Sequence, residues 1–387
     1  MKILCITYEY PPIGGGGANV AHPLAATLVS RGHSVEVVTS GMPGLPQTET
    51  VDGVNIHRVR CVRRRRHYTT TAELMTWIWP ALRKALELSR EHVFDVNHTH
   101  FALPSGIVSW LLYRKTGLPY IITTHGSDVP GYNPDRFRIA HSLAQPAWRK
   151  VIRDSAKVVS ASHFLKKLIQ SHIDVPVDVV RNGYAEKFGP SLSAGKKNRI
   201  LVVTRMFPRK GVQHFFQALE GMKHDWEVVI AGDGPYLPRL KAQVQRKGLN
   251  VTFVGFVQGD TLAELYATSK IFVFPSLQEN FPTVLLEAME AGCAIVTTDS
   301  DGCAEVVGNA GIATTPECAE QIRNALVLLM GDEERIATYG ARGRERIKRF
   351  RWARISAQYE RAMQRAVAAQ PATALHAPAT AGAGERK

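Results

Sequence analysis

Short runs of β-branched and aromatic residues alternate with amphipathic segments along most of the chain. Such runs are typical of strands buried on both faces, and the segments between them repeat apolar residues at helical spacing. The predicted strands are 2–7, 34–39, 54–59, 93–100, 120–124, 157–161, 177–180, 199–204, 226–231, 251–254, 271–275 and 294–298. This alternation predicts an α/β fold built on doubly wound parallel sheets.

The alternation is interrupted once and then restarts. Residues 190–198 (PSLSAGKKN) have the small, polar and charged composition of a linker. The length of 387 residues also exceeds the usual size of a single domain. We therefore predict a first domain at 1–190, a second at 191–350, a C-terminal helix at 351–370 and a disordered tail at 371–387.

Candidate binding groups of the first half follow predicted strands. Four glycines at 14–17 follow the first strand and allow a ligand to approach the backbone closely. His125 follows strand 120–124, at the edge where open α/β sheets bind ligands, whereas His98 and His100 are expected to be structural. Because no GxGxxG precedes an acidic residue here, a dinucleotide cofactor is disfavoured.

In the second half, cations and carboxylates converge on strand ends. Arg205 and Lys210 lie between a strand and a helix, so both can reach one anion. Glu279 lies in the loop before a helix that begins near Pro282, and Glu287 is expected on the polar side of that helix. Carboxylates accept hydrogen bonds from vicinal diols, so Glu287 suits a ribose and Glu279 a hexose, with the cations holding a diphosphate between them. The constellation predicts a nucleoside-diphosphate sugar as ligand.

The net charge of +14 and the pI near 9.7 favour a polyanionic partner. A basic cluster at 60–67 precedes a predicted helix at 72–91. One interpretation of this segment is a solvated basic loop followed by a helix whose tryptophans enter the core. The other is an interface with anionic lipid. The residues of that interface would be Arg60, Arg63, Arg64, Arg65, Arg66, Trp77 and Trp79. No nucleic-acid partner is predicted, because the aromatic-basic repeats of single-strand binders are absent from the sequence.

Metals, cofactors and membrane spans are not predicted. The five cysteines have no CxxC spacing, and Asp299-Ser300-Asp301 imitates a metal-binding DxD motif only superficially. No apolar run reaches the roughly 20 residues of a membrane span, and no signal peptide is recognised. A cytoplasmic location is expected, with peripheral attachment to the inner face of the membrane left open.

Six motifs in order resemble those of the GT-B-fold retaining glycosyltransferases of family 4 (glycosyl transferases group 1), over nearly all of residues 1–367. They are PPIGGGGA at 11–18, THGSD at 124–128, RNG at 181–183, TRMFPRKG at 204–211, AGDGP at 231–235 and ENFPTVLLEAMEAG at 279–292. The resemblance implies two Rossmann-like domains facing a central cleft. The first would bind the acceptor and the second the nucleotide sugar, and the last helix would cross back to the first.

The resemblance also implies roles for individual residues. Glu279, His125, Arg205 and Lys210 would be catalytic. Donor binding would involve Gly16, Gly17, Arg205, Lys210, Phe256, Val257, Glu279, Asn280, Phe281, Pro282, Thr283 and Glu287. Many members have glycine where this chain has Asn280, so backbone contacts to the sugar are expected to differ there.

The implied reaction is metal-independent transfer of a sugar with retention of configuration, in the synthesis of envelope polysaccharide or glycolipid. The acceptor hydroxyl would attack the face from which the diphosphate leaves; a covalent route through Glu279 is less favoured. The sequence is also compatible with a nucleotide-sugar epimerase on the same fold, and with a non-enzymatic basic protein that binds lipid or nucleic acid. It leaves the base, the sugar and the acceptor open.

Overall fold

The computed structural model describes residues 1–66, 69–132, 134–188 and 195–369, without the side chains of 134–141 and 301. Two compact units make up this part of the chain. The first contains residues 1–160, 166–180 and 356–369, and the second contains 161–165 and 181–355.

The first unit is built on a twisted sheet with the order β3-β4-β2-β1-β5-β6-β7-β8. Its strands are β1 (Lys2–Ile6), β2 (Ser34–Ser40), β3 (Thr48–Val51), β4 (Val54–Val59), β5 (Val96–His100), β6 (Tyr120–Thr124), β7 (Lys157–Ser160) and β8 (Val177–Val179). Its helices are α1 (Ala18–Ser30), α2 (Thr71–Glu91), α3 (Ser105–Thr116), α4 (Pro134–Arg153) and α5 (His163–Gln170), whose first residues belong to the second unit. All described pairs are parallel except β3 with β4.

The second unit is built on a parallel sheet with the order β11-β10-β9-β12-β13-β14. Its strands are β9 (Lys197–Val203), β10 (Glu227–Ala231), β11 (Thr252–Gly255), β12 (Ser269–Phe274), β13 (Ala294–Thr298) and β14 (Gly311–Thr314). Its helices are α6 (Val212–Leu219), α7 (Leu237–Lys247), α8 (Gly259–Thr268), α9 (Thr283–Glu290), α10 (Asp301–Val307), α11 (Ala319–Met330) and α12 (Glu333–Ile347). The last helix, α13 (Trp352–Ala368), belongs to the first unit from residue 356 onward.

Among its parallel strands, each described sheet has one point at which the strand order reverses. It lies between β1 and β5 in the first sheet and between β9 and β12 in the second. Ligands of doubly wound sheets bind at such a switch point, beyond the carboxyl ends of the strands. The loops there are 7–17 and 101–104 in the first unit and 204–211 and 275–282 in the second, so most of the predicted site residues lie at the switch points.

The predicted architecture of two Rossmann-like parallel sheets is confirmed. The sequence pattern did not predict the short edge strands β3 and β14. Residues 197–198 of the predicted linker are the first residues of β9, because the strand extends along its neighbours beyond its apolar part. The predicted tail, 371–387, lies outside the described residues.

Candidate functional site

The loop that carries Lys210 is held tightly against the end of β12. Gly211 has φ +71°, and a Cβ atom there would lie 1.8 Å from the carbonyl oxygen of Pro275. The Leu277 N–H donates to the Arg209 carbonyl at 2.8 Å. This close approach requires glycine, and it leaves Lys210 only 7% exposed at the carboxyl edge of the sheet.

The ammonium of Lys210 is paired with the carboxylate of Glu279. The Ser276 hydroxyl donates to the same carboxylate oxygen, Oε1, at 2.8 Å. Arg205, by contrast, is exposed, lies over the Phe207 ring at 5.8 Å and makes no ion pair with any described residue. Of these two cations, Lys210 is therefore neutralised by a carboxylate, whereas Arg205 is available to an anion.

Helix α9 is almost entirely buried, so the expectation that Glu287 lies on its polar side is wrong. The reason is that α9 packs against both the sheet and α12, and the Glu287 carboxylate, 7% exposed, is satisfied inside the fold. Its Oε1 lies 2.5 Å from Lys187 Nζ. The hydroxyl of nearby Tyr266 donates to the Val284 carbonyl at 3.4 Å. Burial, together with the negative charge of Glu287, holds the pKa of Tyr266 well above its ordinary value, so this phenol is a hydrogen-bond donor.

The remaining donor-binding candidates of the second unit surround the start of α9 and the end of β11. Asn280 is buried and accepts a hydrogen bond from the Ser162 hydroxyl at 2.7 Å. It does not adopt a positive φ, so a side-chain contact rather than unusual backbone geometry distinguishes this position. Phe281 and Pro282 are buried and Thr283 is exposed, while Phe256 is 73% exposed and Val257 half-buried.

The glycine loop of the first unit ends at the N-terminus of α1. The Gly14 N–H donates to the Arg66 carbonyl at 2.9 Å and the Gly15 N–H to the Glu9 carboxylate at 3.1 Å. The N–H groups of Gly16 and Gly17 donate to no acceptor in the described parts of the chain. These two amides, at the positive end of a helix dipole, have the chemistry of an anion site, at the two positions predicted to bind phosphate.

Three histidine rings lie close together near the carboxyl ends of β5 and β6. His100 Nδ1 lies 3.0 Å from His125 Nε2, and the rings of His98 and His100 have centroids 4.4 Å apart. Burial lowers the pKa of His98 and that of His125 to about 3, and burial with the charge of its neighbours lowers the pKa of His100 as well. The three imidazoles are therefore neutral at neutral pH, and His125 depends for its orientation on His100, which was expected to be merely structural.

Hydrogen bonds of Asp128 link the loop that follows β5 to the loop that follows β6. Its carboxylate accepts hydrogen bonds from the N–H groups of Ala102 at 2.7 Å and of His125 at 2.9 Å. Burial raises the pKa of Asp128 although these amides oppose the shift. Phe101 is the first residue of the loop after β5, with φ 74° and its ring centroid 4.5 Å from that of His125. A positive φ is uncommon for so bulky a residue and clusters at functional sites.

The predicted lipid-binding surface is only partly exposed. Trp77 is in the core, and Arg63 is buried, where it donates to the carbonyl oxygens of Tyr8 and Arg66. Including these two residues in the surface was therefore wrong: Arg63 is needed to satisfy inward-facing carbonyl groups, and Trp77 lies on the sheet-facing side of α2. The exposed members are Arg60, Arg64, Arg65, Arg66 and Trp79.

The described residues offer neither a metal cluster nor a membrane-spanning helix. Among them, no group of three or more His, Cys, Asp or Glu side chains is placed to hold a metal ion. No described helix is long and apolar enough to cross a membrane.

Sequence reasoning missed several neighbours of the predicted residues: Phe101, Asp128, Ser162, Lys187 and Tyr266. Asp128 belongs to the THGSD motif, and Lys187 follows RNG by four positions, so motif proximity was a signal for both. The other three come together with the site only through the fold.

Comparison with known proteins accounts for both halves of the chain. The model for Glycosyltransferase Family 4 matches residues 14–187, and the model for Glycosyl transferases group 1 matches residues 184–346. The chain is 32% identical over 332 residues to the uncharacterized glycosyltransferase MJ1607 of Methanocaldococcus jannaschii, covering 79% of this chain and 83% of the relative. It is 27% identical over 374 residues to N-acetyl-alpha-D-glucosaminyl L-malate synthase of Bacillus anthracis, covering 91% and 94%.

A solved structure has the same fold. The crystal structure of Anabaena Alr3699/HepE in complex with UDP superimposes with a TM-score of 0.74 at 18% identity, covering 94% of this chain and all of that one.

Proposed function

The chain belongs to the family 4 glycosyltransferases with the GT-B fold, and we propose that it transfers a sugar from a nucleoside-diphosphate sugar to a hydroxyl group of a saccharide or lipid-linked acceptor. The observation that carries the proposal is the group of charges at the second switch point. Arg205, Lys210 and the start of α9 supply positive potential there, and Glu279 and Glu287 supply acceptors for hydroxyl groups. This combination suits a ligand that is both a diphosphate and a diol.

The cations would stabilise the leaving diphosphate. Cleavage of the anomeric bond leaves negative charge on the phosphates, and preorganised positive groups lower the barrier where that charge develops. Before donor binding, Glu279 neutralises Lys210. We propose that the sugar hydroxyls take over the Glu279 carboxylate on binding, so that more of the Lys210 charge becomes available to the phosphates.

The proposed reaction is metal-independent and retains the anomeric configuration. Arg205, Lys210 and the α9 dipole would supply the positive charge that a divalent cation supplies elsewhere. The acceptor hydroxyl would attack from the face that the diphosphate leaves and pass its proton to the leaving phosphate. Taken by itself, the first unit has loop amides at Gly16 and Gly17 that suit a phosphate and a neutral His125 imidazole that suits a sugar hydroxyl.

Nucleoside diphosphates provide the direct test. HepE was crystallised with UDP, so UDP is the first of a thermal-shift panel that includes GDP and ADP. A ligand at 100 times its Kd stabilises the folded protein by about 2.7 kcal/mol. We expect one nucleoside diphosphate to raise the Tm of the wild type and to lose this effect in Arg205→Met. An unchanged Tm with every nucleotide would contradict the proposal.

Assays with the matching nucleotide sugar separate direct transfer from the epimerase and from the covalent route. We expect sugar transfer to an added acceptor to persist in excess EDTA, with product of retained configuration by NMR. Interconversion of the sugar without any acceptor would favour the epimerase instead, and a glycosyl-enzyme adduct on Glu279 in a mass spectrum would favour the covalent route.

We also propose that the enzyme docks on an anionic lipid bilayer through the N-terminal half of α2. Met75 is 56% and Trp79 is 69% exposed, and with exposed Arg83 they follow one another at intervals of four residues, which puts them on one face of the helix. Exposed Arg64 and Arg65 line an open depression of about 450 Å³ together with Ala72 and Thr76 of the same helix. Apolar side chains flanked by arginines suit a headgroup layer.

Vesicle co-sedimentation tests this docking. At about 1 kcal/mol per arginine near an anionic surface, Arg64→Gln with Arg65→Gln should weaken binding to phosphatidylglycerol vesicles by about 30-fold. The matched control is Arg114→Gln with Lys115→Gln, two exposed cations at the end of α3, which should bind like the wild type. Equal binding to pure phosphatidylcholine, or equal losses in both double variants, would refute the docking surface.

A further inference from the structure

Lys187 occupies a position at the candidate donor site that neither the motifs nor the comparisons assign. Its ammonium lies 2.5 Å from Glu287 Oε1. The lysine side chain is 54% exposed and the carboxylate 7%. The pair therefore has one face toward solvent and one toward the protein.

The backbone of Lys187 is fastened to the same helix as Glu287. Glu290 accepts hydrogen bonds from the Lys187 N–H at 3.0 and 3.1 Å and from the Phe188 N–H at 3.1 Å. It also accepts the Tyr184 hydroxyl at 2.5 Å. Because Glu290 and Glu287 are three residues apart on α9, they lie on one side of the helix. The α carbon of Lys187 is thus fixed, and its ammonium can move only within the reach of one side chain.

We propose that Lys187 is a ribose-contacting residue of the donor site, whose ammonium donates to a ribose hydroxyl oxygen while Glu287 accepts from the ribose diol. The inference rests on the proposed function, which places the donor ribose at Glu287. A diol presents both hydrogens and lone pairs, whereas a carboxylate only accepts and an ammonium only donates. The pair therefore matches both properties of the diol.

Charge balance keeps the ammonium in place when the ligand binds. A bound ribose excludes water from Glu287, and a carboxylate buried without a cation is costly. Among the described residues, Lys187 is the cation that pairs with Glu287 and compensates its charge. Departure of Lys187 would bury an unpaired charge, whereas a shared contact with the ribose leaves every group satisfied.

The experiment compares nucleotides that differ by a single hydroxyl. Calorimetric titration gives the Kd of UDP and of GDP for the wild type, and for the better ligand also the Kd of its 2′-deoxy and 3′-deoxy forms. The variants are Lys187→Met, Lys187→Arg and the matched control Lys223→Met, an exposed lysine of the same unit. Since hydrogen bonds to charged groups are among the stronger ones, we expect Lys187→Met to weaken ribonucleotide binding about tenfold.

The ratio of deoxy to ribo affinities decides the question. A lysine that acted only through its charge on the diphosphate would weaken all forms equally. A ribose contact predicts that at least one ratio falls about threefold or more toward unity in Lys187→Met, is restored in Lys187→Arg and is unchanged in Lys223→Met. Unchanged ratios, or tighter ribonucleotide binding by Lys187→Met, would overturn the inference alone. If no nucleoside diphosphate binds the wild type, the proposed function is overturned with it.

Discussion

Gly16 and Gly17 are neighbours in one loop, yet replacing each by alanine is expected to change the stability of the protein differently. A Cβ atom on Gly17 would lie 2.2 Å from Cζ and 2.7 Å from Cε2 of Phe101, whereas carbon atoms pack at about 3.5–4.0 Å. The ring has no room to withdraw, because it is buried with centroids 4.6 Å from Tyr8 and 4.5 Å from His125. At Gly16 a Cβ would meet no described atom within 4 Å.

The expected cost follows from this overlap. Overpacking of a filled core costs about 1–3 kcal/mol, and Gly17 has φ −68°, so the alanine backbone itself is unstrained. We expect Gly17→Ala to lower the free energy of unfolding by about 2 kcal/mol and the Tm by about 4–8 °C. Gly16→Ala should stay within about 0.5 kcal/mol of the wild type, while the added methyl obstructs an anion at the loop amides.

Chemical and thermal unfolding of the two variants provide the measurement, and a change at Phe101 provides the control. Phe101→Leu removes the ring atoms that collide, so adding Gly17→Ala to Phe101→Leu should cost far less than adding it to the wild type. Equal stability of the two alanine variants, or additive costs in the double variant, would refute the packing argument.

Three further perturbations have defined outcomes. Lys210→Met leaves the Glu279 carboxylate without its cation and should lower the free energy of unfolding by about 3 kcal/mol. Adding Glu279→Gln should restore part of this stability in urea unfolding. A further loss of stability in the double variant would contradict the pairing. Acid should destabilise the first unit between pH 6.5 and 3, because the unfolded chain protonates His98 in this window and the folded chain, with a pKa of about 3, does not. His98 contributes up to about 1.4 kcal/mol per pH unit to the slope, in addition to His100 and His125, whose pKa values are also lowered. A pH dependence of Tm as steep in His98→Asn would refute this contribution. Arg63→Ala should lose about 1.5–3 kcal/mol by leaving buried carbonyls unpaired, whereas exposed Arg65→Ala should unfold like the wild type; equal stabilities would show that burial is irrelevant at these positions.

The sequence predicted the architecture because that architecture depends on local periodicity. Buried parallel strands read as apolar runs, and glycines, prolines and charged loops mark their ends. The carboxyl ends of the strands could be located from the same runs, whereas the strand order, and with it the switch points, was not predicted. Edge strand β3 escaped prediction, since its exposed residues carry no apolar alternation.

The environment of the site residues could not be read from local pattern. The burial of Glu287 depends on Lys187, a hundred positions earlier in the chain, which pairs with its carboxylate. Arg63 and Arg65 belong to one run of four arginines, and only the path of the loop decides which side chain turns inward. Whether such a charged side chain is buried depends on hydrogen-bonding groups that are distant in the sequence and come close only in the fold.

Helix α13 has a consequence for the order in which the protein folds during synthesis. The core of the first unit includes Tyr359 and Met363, both fully buried, whereas the second unit is complete at Ile355. At about 5–20 residues per second, the ribosome would take roughly 10–40 s to make the chain between residues 180 and 368. The unit that is begun first is therefore completed after the other one, and until α13 has been made, its sheet lacks the helix that covers His98.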